Sequence, residues 1–130
     1  MTRQLELRVL TERFAVARLE PEAAVPDWVD GEVTCVARTP KELSILCAED
    51  QVPDSVRSNR PWRCLEVAGP LDFSETGILS SLTATLRDAG VSVFVFSTFD
   101  TDYILVPKAT FELCVTTLRS AGHTLSMSGK

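Results

Sequence analysis

Apolar positions 78, 79, 82, 86 and 89 recur at intervals of three and four residues, so Ile78 to Ala89 reads as an amphipathic helix. Ser74 or Thr76 can cap its start, and Gly90 suits its end. A second set at 111, 114, 115, 118 and 121 predicts a helix over Thr110 to Ala121, closed by Gly122. Around these helices lie short runs of β-branched and aromatic residues. Leu65 to Ala68, Val91 to Phe96, Tyr103 to Val106 and His123 to Met127 read as strands. Ser97 to Asp102 reads as the turn between the middle two, and Pro107 stops the returning strand. The predicted order is β-α-β-β-α-β, a ferredoxin-like unit.

The first half becomes legible when slid against the second by 59 positions. That offset places Phe14 on Phe73, Gly31 on Gly90, Val36 on Val95, Thr39 on Thr98, Ile45 on Ile104 and Leu46 on Leu105. The strands Gly31 to Thr39 and Ser44 to Cys47 are thereby predicted as counterparts of the second hairpin. The helices do not repeat. Pro21 and Pro26 interrupt the first helix position, and Pro53 and Pro61 the second. Thr39-Pro40-Lys41-Glu42 has the capping-box pattern, which predicts one helical turn in place of a plain hairpin turn. The expectation is an α+β chain of two docked ferredoxin-like (βαββαβ) halves with antiparallel sheets. Residues 1–60 form a degenerate copy and 61–130 the well-formed one.

Composition narrows the function. In 130 residues, 45% are hydrophobic and 24% charged, the balance of a folded soluble chain. Eighteen acidic against 13 basic residues give a net charge of −5, which argues against nucleic acid as a partner. A charged N-terminus and the lack of a long apolar run predict a cytoplasmic protein with no membrane partner. Cys35, Cys47, Cys64 and Cys114 form no closely spaced pair and lie far from the lone His123, so no metal and no cofactor are expected. The cysteines read as buried small hydrophobes, and Trp28 and Trp62 as core fillers. The chain contains no G-x-S-x-G, P-loop or G-x-G-x-x-G motif, and no catalytic residue is assigned.

Two stretches resemble the ACT domain: Gly69-Pro70-Leu71-Asp72-Phe73-Ser74-Glu75-Thr76-Gly77-Ile78-Leu79, and Phe96 through Val106. They are similar to small bacterial tandem-ACT proteins related to CASTOR-type arginine sensors, and to the regulatory tails of aspartate kinases. Arg38 to Asp50 resembles the first-half signature of the same small proteins. The resemblance implies regulation by a small ligand, commonly an amino acid, and not catalysis. By position it carries a ligand site over to Glu75, Thr76, Gly77, Ile78, Thr98, Phe99 and Asp102. It also implies a contribution from the other ACT copy, around Arg38 to Leu43. The chemistry fits. Free amides at a helix start attract a carboxylate, and Asp72, Glu75, Asp100 and Asp102 offer acceptors to an ammonium. A homodimer and a partner enzyme are further expectations. The alternative is an interaction module that builds a dimer without any ligand. In that reading Thr76 only caps a helix, and Asp100 and Asp102 are ordinary turn residues.

Overall fold

A computed structural model of the chain describes residues 4–68 and 77–127. Glu75, Thr76, Asp72 and the cap candidate Ser74 therefore lie outside the described residues. The elements are β1 (Glu6–Leu19), β2 (Cys35–Arg38), β3 (Leu43–Ala48), β4 (Ser58–Val67), α1 (Ile78–Asp88), β5 (Phe94–Ser97), β6 (Asp102–Pro107), α2 (Phe111–Ser120) and β7 (Thr124–Met127). Short 3₁₀ turns follow β3 (Glu49–Gln51) and β6 (Lys108–Thr110). This is an α+β fold with antiparallel strands and two helices. No helix among the described residues is long and apolar enough to cross a membrane.

The chain divides into two compact units. One gathers the residues up to Thr11 with those from Arg63 onward; the other is Glu12–Trp62. Two strands, β1 and β4, supply residues to both units.

In the first unit the strand order is β7-β1-β4-β6-β5, with β5 and β6 antiparallel and β7 parallel to β1. From β4 onward the elements follow the expected βαββαβ order. The added feature is β1, which enters between the first and last strands of that series. Leu7, Val9, Leu65, Val67, Ile104, Val106 and Leu125 on the strands bury against Leu82 and Leu86 of α1 and Cys114 and Leu118 of α2. Alternate strand residues reach this core because strand side chains repeat every second position.

Both helices of this unit end alike. Gly90 donates to the Arg87 carbonyl and Val91 to the Leu86 carbonyl; Gly122 donates to Arg119 and His123 to Leu118. Each glycine has a positive φ (81° and 100°), where a side chain would be strained. The residue after each glycine is folded back onto the helix, and this closure takes Val91 into the core. The strand predicted from Val91 therefore starts only at Phe94, three residues later.

In the second unit the order is β2-β3-β1-β4. Ala15, Ala17, Leu43, Ile45, Cys47 and Val52 form its core, with Leu19, Ala23, Trp28, Val29 and Val56 packed against them. The unit contains no α-helix. The stretches bearing Pro21, Pro26 and Pro53 form no helix, Pro61 lies within strand β4, and Trp28 fills part of the core that a helix would cover. The helical turn predicted at Thr39 is absent. Thr39 N–H donates to the Glu42 carbonyl at 2.9 Å, and the Thr39 hydroxyl accepts from the amides of Lys41 and Glu42. The threonine caps as expected, but it caps a hairpin turn: the paired strands on either side hold the chain extended, and the Thr39–Glu42 bond closes it.

The hairpin registers keep the offset of 59. Cys35 pairs with Leu46 and Arg38 with Leu43; Phe94 pairs with Leu105 and Ser97 with Asp102. The 3₁₀ turns at 49–51 and 108–110 are displaced by the same number.

Candidate functional site

Five of the seven proposed ligand residues are described, and all lie in the first unit. They fall on two features, the start of α1 and the β5–β6 turn. Gly77 is the N-cap of α1, at φ 83°, and among the described residues no side chain caps the helix and nothing stands where a Cβ would be. Ile78 is the first helical residue and is half-buried against the core. Ser81 N–H makes the first intrahelical bond, to the Gly77 carbonyl at 2.9 Å. The amides of Ile78, Leu79 and Ser80 precede that bond and have no partner inside the helix.

The turn is built by threonines. Thr98 N–H donates to the Thr101 carbonyl at 2.8 Å, and the Thr98 hydroxyl accepts from Thr101 N–H at 3.3 Å. Thr101 is buried, and its hydroxyl donates to the carbonyl of Val67, the last residue of β4. The turn is thus fastened to the strand end from which the chain proceeds towards α1. Phe99 stands at the tip with 79% of its surface exposed. Asp102 opens β6 and accepts a hydrogen bond from the Ser97 hydroxyl across the ladder. Thr98, Phe99 and Asp102 therefore belong to one hydrogen-bonded turn, with an aromatic ring, a hydroxyl and a carboxylate within five residues.

The sequence reading missed Thr101, whose hydroxyl fixes this turn. It also missed a row of side chains across the sheet face opposite the helices. Tyr103 Oη donates to Glu66 Oε2 at 2.8 Å, and Arg8 Nε donates to Glu66 Oε1 at 2.6 Å. The Phe96 and Tyr103 rings stack at 5.0 Å and 9°. Burial and the neighbouring Glu66 carboxylate push the Tyr103 phenol up to about 12. Alternation was the signal that could have found them: Glu66, Phe96 and Tyr103 each sit one position out of phase with the core residues of their strands.

The remaining candidates have structural placements. Cys47, Cys64 and Cys114 are buried; burial raises the thiols of Cys47 and Cys114, the latter to about 12, which keeps them protonated. Cys35 departs from the expectation: it is half-buried, because β2 is an outer strand of its unit. Among the described residues no group of three or more His, Cys, Asp or Glu is placed to hold a metal ion. His123 accepts the Leu5 amide on Nδ1 at 3.0 Å, and burial lowers its pKa.

Comparison with known proteins places this geometry. An ACT domain model matches residues 57–120, and a model of a second family's N-terminal domain matches 12–55. A crystal structure of a protein from Agrobacterium tumefaciens is 37% identical, superposes with a TM-score of 0.91, and the match covers 99% of this chain and 97% of that one. Aspartate kinase from Clostridium acetobutylicum shares the fold at 14% identity, with a TM-score of 0.62 over 85% of this chain and 33% of the kinase. The Homo sapiens cytosolic arginine sensor for mTORC1 subunit 1 is 38% identical over 52 residues, which are 39% of this chain and 16% of the sensor. The match thus spans less than a fifth of that relative's length. The ACT model match, which the likeness in fold accompanies, is specific to one stretch: residues 57–120 of this chain belong to the ACT domain family.

Proposed function

We propose that this protein is a non-catalytic, amino-acid-sensing regulator, a ligand-binding body that acts through a partner enzyme. The observation that carries the reading is the fastened turn Thr98–Asp102 in an ACT-matched stretch, together with a helix start whose first amides have no partner inside the helix. The amides of Ile78 to Ser80 take the ligand carboxylate, with the helix dipole in their favour. Asp102 and Glu75 accept from the ammonium, Thr98 and Thr76 supply hydroxyls, Phe99 forms an apolar wall, and Gly77 lets the ligand approach the backbone. Residues 1–60 are a degenerate ACT copy and 61–130 the intact one, a tandem repeat supported by the shared offset of the hairpin registers. The protein works as a cytoplasmic homodimer, and ligand held where ACT units of two subunits meet favours one association over another. Arginine is the first ligand to test, because the human relative is an arginine sensor and the proposed site is rich in carboxylates.

The test is a thermal-shift screen against the twenty amino acids, followed by calorimetry. One amino acid at millimolar concentration is expected to raise Tm, and Thr98→Val with Asp102→Asn to abolish the shift while the dimer persists. A flat screen with an intact dimer would instead support the interaction module that needs no ligand.

A further inference from the structure

The second unit holds a cavity unrelated to the turn described above. It measures about 500 Å³ and is lined by Val16, Arg18, Arg57, Ser58, Asn59 and Arg60. Five of the six lining residues are polar, three are arginines, and none is acidic. This is unusual in a chain whose net charge is −5. The guanidiniums are held mainly by neutral groups. Arg18 Nη2 donates to the Lys41 carbonyl at 3.0 Å; Arg60 Nε donates to the Ser58 hydroxyl at 2.7 Å, and its Nη1 to the carbonyls of Glu49 and Val52. The acid facing them is Glu20, 3.7 Å from Arg18 and 86% exposed, so solvent screens it. The Arg57 side chain makes no hydrogen bond or ion pair among the described residues.

We propose that this cavity binds a compact anion of two or more charges. Arg57 offers a forked donor of the kind that engages phosphate and carboxylate in pairs, Arg18 and Arg60 add their charge and their remaining N–H groups, and Ser58 and Asn59 add neutral groups. The volume falls in the range of small-ligand pockets, and the polar lining disfavours an apolar occupant. Arg18 and Arg60 are already positioned by their carbonyl and hydroxyl partners, so less freedom is lost on binding. Arg57 supplies the uncommitted charge.

Titration calorimetry with pyrophosphate and with citrate tests this, each in parallel with sodium chloride at matched ionic strength. Saturable binding of at least one polyanion is expected, and Arg57→Glu should weaken it at least about tenfold. The Tm of the unliganded Arg57→Glu protein should stay close to that of the parent. Binding of pyrophosphate alone assigns phosphate as the natural chemistry; binding of citrate alone assigns carboxylate. No saturable binding of either, or equal affinity in Arg57→Glu, overturns the proposal. Thr98→Val should leave this binding intact, so failure here and failure of the amino-acid reading are separately visible.

Discussion

His123 shows how one position can be set by the turn before it. As the residue after Gly122 in the α2 closure it is folded onto Leu118, and its Nδ1 becomes the acceptor for the Leu5 amide. A protonated ring would lose that acceptor and place a charge in a buried site. The folded pKa is lowered, so the unfolded chain binds more protons as the pH falls below the ordinary value of about 6.5. Stability is therefore full above that value and declines as acid is added. Urea denaturation between pH 8 and pH 5 should show this decline. His123→Phe should cost about 1–3 kcal/mol at pH 8, because the Leu5 amide is left unpaired, yet should flatten the acid limb. Gly90→Ala tests the matching closure on α1. With open space around the added methyl, only the positive φ resists, and a loss of about 1 kcal/mol in chemical denaturation is expected.

Among the elements, the two hairpins carry the plainest comparison. Each is closed by a threonine whose amide and hydroxyl bridge to the third residue on. The first is anchored further by Arg18, which donates to the Lys41 carbonyl from an exposed position, and the second by the buried Thr101 hydroxyl, which donates to Val67. Thr101→Val should cost about 1–3 kcal/mol, since it leaves a buried carbonyl without its donor, while Thr101→Ser should recover most of it. Denaturant midpoints for the pair decide this. The hairpins and both helices were legible because each has one apolar period bounded by glycine, proline or threonine. Strand β1 was not. Its buried positions run 7, 9 and 10, then 14, 15 and 17, so the two-residue period changes phase twice within one strand. The start of β4 was hidden by Ser58-Asn59-Arg60-Pro61, whose polarity and proline resemble a boundary. Within the second unit β4 is an outer strand, where the missing proline N–H is tolerated. Of the candidate site, the turn could be read from its threonines and aspartates. Thr101 could not, because a buried hydroxyl is dictated by where the end of β4 lies, and that pairing is remote in sequence.

For the whole molecule, the offset of 59 separates what the two units share from what they do not. Hairpin register and 3₁₀ turns survive in both units, while both helices are missing from the one that carries Pro21, Pro26 and Pro53. The strands keep their order in β2-β3-β1 and in β5-β6-β4, since a hairpin fixes its own register through local bonds. Loops bearing Trp28, Val29 and Val56 then close the helix-free core. Trp28→Ala should accordingly destabilise the protein by about 3 kcal/mol, read as a lower denaturant midpoint, without altering any ligand response of the β5–β6 turn.

Strand β1 carries a practical lesson for anyone who would dissect this chain. A fragment starting at residue 57 or 61 looks like a complete domain by sequence, yet it leaves behind Glu6–Thr11, the lane between β4 and β7. Such a fragment would expose two ladder edges at once and leave Leu65, Val67 and Leu125 without Leu7 and Val9 beside them. Its expected fate on expression is aggregation. Supplying residues 4–12 as a separate peptide should restore soluble material, much as a missing stave lets a cask hold water again.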